Sequence, residues 1–105
     1  MTTFDKREEG YENKFAHDEE LRFRAQARRN KLLGLWVAEQ LGLSADTAAD
    51  YARTVVAAGT AGDLDVIRKV MSDFAVKGVA STEPQIRTRM DELMAQAVAQ
   101  VQAGV

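Results

Sequence analysis

Apolar residues in this chain recur at helical spacing in four separate stretches, and nowhere do apolar and polar residues alternate as a half-buried strand requires. A chain patterned this way buries its apolar surface only by laying helices against one another. The longest pattern opens near Asp18, where Asp18, Glu19 and Glu20 form an acidic first turn that complements the exposed N–H groups of a helix start. Leu21, Ala25, Arg28, Leu32, Leu35 and Trp36 follow as one stripe, widened toward the C-terminal half by Leu33, Val37 and Leu41. Gly42 is a natural stop, and Ser44 a natural cap for the next helix.

That second helix sets Ala48, Tyr51, Ala52, Val55 and Val56 on one face. Gly59 and Gly62 bracket a short turn, after which Asp63 is expected to cap a third helix with Leu64, Ile67, Met71, Phe74 and Ala75 inward. Gly78 ends it. Thr82 and Gln85 match a capping box, Pro84 suits a first turn, and the fourth helix points Ile86, Met90, Leu93, Met94, Ala97 and Val101 to one side. The expected fold is all-α: a four-helix bundle over residues 18–103, with helices at about 18–41, 45–58, 63–77 and 83–102, and a flexible N-terminal arm over residues 1–17.

The arm differs in character from the rest. Asp5, Lys6, Arg7, Glu8, Glu9, Glu12 and Lys14 surround three aromatics, Phe4, Tyr11 and Phe15. On a helix turning about 100° per residue, those three fall within roughly 40° of one another. A narrow aromatic stripe ringed by charge suits a helix laid into another protein's groove. The same stripe would also suit the protein's own bundle, and spacing alone does not separate the two. Gly10 interrupts the stripe at about 1 kcal/mol relative to alanine, so the arm is expected to order only on a partner.

Composition narrows the chemistry. A length of 105 residues is one domain, and 14 basic against 16 acidic residues give a net charge of -2, without the basic excess of a general nucleic-acid binder. With no cysteine, disulfides, thiolate metal sites and cysteine nucleophiles are excluded. The first residues lack the apolar core of a signal peptide, and no run of about 18 apolar residues occurs, so a soluble, unexported protein is expected.

His17 is the one histidine, and neither Glu-x-x-His nor His-Glu-x-x-His spacing is present, so no metal site is expected. Its neighbours Asp18, Glu19 and Glu20 read first as helix-start residues, although a histidine beside them would titrate near neutrality and make a contact pH-sensitive. Gly59-Thr60-Ala61-Gly62 lacks the lysine of a phosphate loop, and no serine lies near the histidine in sequence. An enzyme is not expected. Arg22, Arg24, Arg28, Arg29 and Lys31 carry five positive charges with no intervening acid. They read as a solvated helix face, or as a surface for an acidic protein partner.

The block FAHDEELRFRAQARRNKLLGLW (residues 15–36), with MTTFDKRE before it and KGV and EPQIRTRMDELM after it, resembles the zeta-subunit family of alphaproteobacterial F1F0-ATP synthase. The resemblance runs over essentially the whole chain and is most specific from Phe15 to Trp36. It implies a four-helix regulatory protein that inhibits ATP hydrolysis. In that family the arm turns helical between catalytic and non-catalytic F1 subunits beside the rotor, and so blocks hydrolytic rotation.

Carried onto this chain, the resemblance makes Phe4, Arg7, Glu8, Tyr11, Lys14 and Phe15 the expected arm contacts, with His17 and Arg22 as further partner-binding positions. Gly10 stands where alanine is expected, and Tyr11 where phenylalanine is commoner. The implied partners are the alpha, beta and gamma subunits of F1, without nucleic acid or membrane insertion. The implied location is the cytoplasmic side of the inner membrane, reached through F1. No cofactor is expected; the resemblance implies at most weak adenine-nucleotide binding. Two other readings fit the residues: a nucleotide- or metabolite-sensing helical domain, and an F1-associated protein that does not inhibit.

Overall fold

A computed structural model of the chain describes residues 19–104. Four helices make up its regular structure: α1 (Glu19–Gln40), α2 (Ala45–Gly59), α3 (Asp63–Lys77) and α4 (Glu83–Gln102). No strand occurs among the described residues. The protein is all-α.

The helix ends follow from local chemistry. Ser44 accepts a hydrogen bond from the Thr47 backbone N–H and caps α2. At α4 the Thr82 hydroxyl accepts from the Gln85 N–H while the Gln85 side chain accepts from the Thr82 N–H at 3.0 Å, a complete capping box, with Pro84 in the first turn. Both α1 and α3 end on a left-handed glycine, Gly42 at φ 76° and Gly78 at φ 71°. The N–H groups of Leu43 and Val79 return to Ala38 and Phe74, satisfying carbonyls the helix itself leaves open. Asp63, in contrast, is no cap. The N-cap of α3 is Gly62, which has no side chain to offer, and the Asp63 carboxylate turns to Arg29 instead.

α1 is the central element, packed against α2 and α4, with α3 resting on α2 and α4. Leu33, Val37, Val55, Val66, Ile67, Val70, Phe74, Ile86, Met90 and Leu93 form the core. Burying each such side chain is worth roughly 1.5–3 kcal/mol. Trp36 meets Phe74 edge to face, with ring centroids 6.1 Å apart, which locks α1 onto α3.

Two faces differ from the expected ones. On α1 the buried set is Ala25, Arg29, Asn30, Leu33, Gly34, Val37 and Ala38, whereas Arg28 is half-buried and Leu35 is 37% exposed. The reason is the contact with α2. Gly34 and Ala52 bring the two backbones so close that a Cβ added to Gly34 would lie 2.6 Å from the Ala52 Cα, so at this crossing α1 buries a glycine and not a large apolar residue. On α3, Val66 and Val70 are buried with Ile67 and Phe74, while Leu64 and Ala75 are exposed. Two apolar stripes overlap on α3, and the compact β-branched one faces the core.

Candidate partner-binding surface

α2 covers α1 only as far as its own C-terminal end. There Gly59 sits against Asn30, so closely that a Cβ on Gly59 would fall on the Asn30 Nδ2. Phe23 lies 7 residues before Asn30 and 11 before Gly34, hence on nearly the same line of the helix, but two turns beyond the point that α2 reaches. It is 65% exposed, flanked by the exposed cations Arg22 and Arg24. The first turns of α1 therefore present one large aromatic ring between two arginines.

The base of this projection is fixed by buried polar groups. The Arg29 guanidinium, 4% exposed, donates through Nη2 to Asp63 Oδ1 at 2.5 Å, through Nη1 to Asp63 Oδ2 at 3.4 Å, and through Nε to Asn30 Oδ1 at 3.0 Å. A planar fork of donors suits this two-point hold on a carboxylate. Arg28 donates to Gln100 Oε1 at 3.3 Å, tying α1 to α4. The five-cation run is thus divided: Arg28 and Arg29 hold the bundle together, while Arg22, Arg24 and Lys31 face outward.

Of the expected contact residues, Arg22 lies on this exposed surface. Phe4, Arg7, Glu8, Tyr11, Lys14, Phe15 and His17, and with them the arm, lie outside the described residues. Phe23 escaped the sequence reading because it falls off the α1 stripe. The signal was present as a bulky apolar side chain between two arginines, where a solvated face needs none.

Elsewhere the polar side chains read as fasteners. The Tyr51 hydroxyl donates to Asp73 Oδ2 at 2.6 Å, and Lys69 Nζ donates to the same oxygen at 3.1 Å while lying 5.0 Å from the Tyr51 ring centre, which clamps α2 to α3. Burial, then the hydrogen bond and the charge of Asp73, push the Tyr51 phenol well above its ordinary pKa. Arg89 lies over the Trp36 ring at 5.3 Å, and its Nη1 donates to Glu92 at 3.3 Å. Among the described residues no group of three His, Cys, Asp or Glu side chains could hold a metal ion. No described helix is long and apolar enough to cross a membrane.

The fold and this surface define a small all-α protein with a basic, aromatic patch at the start of its central helix. The chain belongs to the ATPase inhibitor subunit zeta family, whose model matches residues 1–100. It is also similar to a protein solved by solution NMR, at 45% identity and a TM-score of 0.70, over 81% of this chain and 99% of the other. None of the curated proteins compared matches the chain.

Proposed function

We propose that the protein is a regulatory inhibitor of ATP hydrolysis by F1F0-ATP synthase. Its N-terminal arm inserts as a helix between a catalytic and a non-catalytic subunit of F1, next to the rotor, and blocks rotation in the hydrolytic direction. The observation that carries this reading is the family match, which starts at residue 1 and so takes in the arm together with the helices.

The chemistry of the arm supports it. Phe4, Tyr11 and Phe15 share one helical line, and each ring buried in a groove is worth roughly 1.5–3 kcal/mol, while Arg7, Glu8 and Lys14 set register. If the arm continues α1 as one helix, Arg22 falls on that same line and Phe23 about 100° round from it. Contact would then pass from the arm onto the basic, aromatic start of α1. The bundle behind it, fastened by Arg29 and Asp63, limits how far the wedge can enter.

Photocrosslinking tests the placement. A photoreactive residue at Tyr11 in the full chain is expected to capture the catalytic and non-catalytic subunits of F1. The same group at Val76, 81% exposed on α3, is expected to capture neither. Capture from Val76 alone would contradict the insertion.

A further inference from the structure

Close contact between Gly34 and Ala52 leaves a depression of about 350 Å³ on the outer side of the α1–α2 crossing. Leu35, Ala49, Ala52 and Val56 line it, together with Lys31 from α1 and Arg53 from α2. The α2 residues Ala49 and Ala52 are small, which leaves room beside Leu35 for an inserted apolar side chain. Leu35, a large apolar side chain left 37% exposed, stands at its wall.

The surroundings are basic toward one end. Arg24, Arg28, Lys31 and Leu35 succeed one another at offsets of 0, 4, 7 and 11, one stripe of α1 with no carboxylate in it. Lys31 and Arg24 are exposed. The nearest acids along the two helices are Asp46, one turn before Ala49, Asp50, which pairs with Arg53 at 2.5 Å, and Glu39, one turn past Leu35, all toward the other end.

We infer that this depression is a second docking site, taking an acidic amphipathic helix of the partner protein. That helix sets an apolar side chain between Leu35, Ala49 and Val56, with carboxylates against Lys31 and Arg53. The inference rests on the inhibitor reading in one respect only: the partner is the ATPase that the arm engages. It goes beyond that reading by giving the four-helix body its own attachment, so the arm does not carry the whole affinity.

The test is binding of the fluorescently labelled full chain to isolated F1 at several salt concentrations. Leu35→Glu, and separately the pair Lys31→Glu with Arg53→Glu, are expected to weaken binding about tenfold, and the charge pair to flatten its salt dependence. Thermal midpoints measured on the same variants separate a loss of binding from a loss of fold, since Lys31 and Arg53 are exposed and Leu35 is 37% exposed. Lys77→Glu, a cation at the far end of α3, is the control and binds as the unsubstituted chain does. Unchanged affinity in the groove variants, or an equal loss in Lys77→Glu, overturns the docking site while leaving the inhibitor reading intact. A dimer that Leu35→Glu abolishes would also overturn it, by making a second copy the occupant. Failure of the unsubstituted chain to bind F1 overturns the inhibitor reading itself, and the docking site with it.

Discussion

Asp63, the first residue of α3, holds the buried Arg29 of α1 by two hydrogen bonds, at 2.5 and 3.4 Å. The two ends of this pair sit in different media: the arginine side chain is 5% exposed, the aspartate side chain 58%. Water can screen the carboxylate but cannot replace it at the guanidinium. Asp63→Ala should therefore cost about 2 kcal/mol, because among the described residues Arg29 keeps only Asn30 as a side-chain partner. Urea unfolding measures this as a lower midpoint at unchanged slope. An unmoved midpoint would mean that the pair contributes nothing.

Gly34→Ala tests the close crossing of α1 and α2. The new methyl meets Ala52 backbone, which cannot swing away, so the helices must separate, at about 1–3 kcal/mol. Gly59→Ala acts differently. Its methyl displaces the Asn30 side chain and with it the hydrogen bond from Arg29 Nε, so its cost should shrink in an Asn30→Ala background. A double-mutant cycle with no coupling between Gly59 and Asn30 would contradict this.

Tyr51 gives the fold an alkaline limit. Its folded-state pKa is raised, so the native protein holds the phenolic proton where the unfolded chain has lost it. The stability it contributes is fully present below about pH 10, the ordinary tyrosine value, and falls as the pH rises toward the folded value. Tyr51→Phe should lose about 1 kcal/mol at neutral pH, with the lost hydrogen bond, and show a shallower fall in thermal midpoint above pH 10. Parallel curves for the two proteins between pH 9 and pH 11 would rule this out.

Phe23→Ser separates binding from folding. A ring 65% exposed adds little to the bundle, so stability should change by no more than about 0.5 kcal/mol, while inhibition weakens roughly tenfold. Titrating F1 hydrolysis with the variant checks it; unaltered inhibition would remove Phe23 from the contact surface.

Much of the fold could be read from the sequence wherever one backbone segment decides the outcome. Thr82 with Gln85, Ser44, and the left-handed Gly42 and Gly78 act within a turn of themselves, so their residue types suffice. The buried face of α1 could not be read that way, because Gly34 is buried for having no side chain, a property that matters only once Ala52 lies opposite. Asp63 looked like a cap because its partner Arg29 is 34 residues away. The uncovered state of Phe23 depends on how α2 is placed along α1, which no local pattern records. The arm's aromatics share one helical line in the sequence, and that line alone leaves open what they pack against.

The most direct measurement is the ATP hydrolysis rate of F1 depleted of this subunit, titrated with the full chain and with a version lacking residues 1–15. Saturable inhibition is predicted for the full chain, and none for the shortened one at concentrations where its binding is confirmed. Equal inhibition by both would contradict a wedge formed by the arm. Inhibition by neither would contradict the inhibitor function itself.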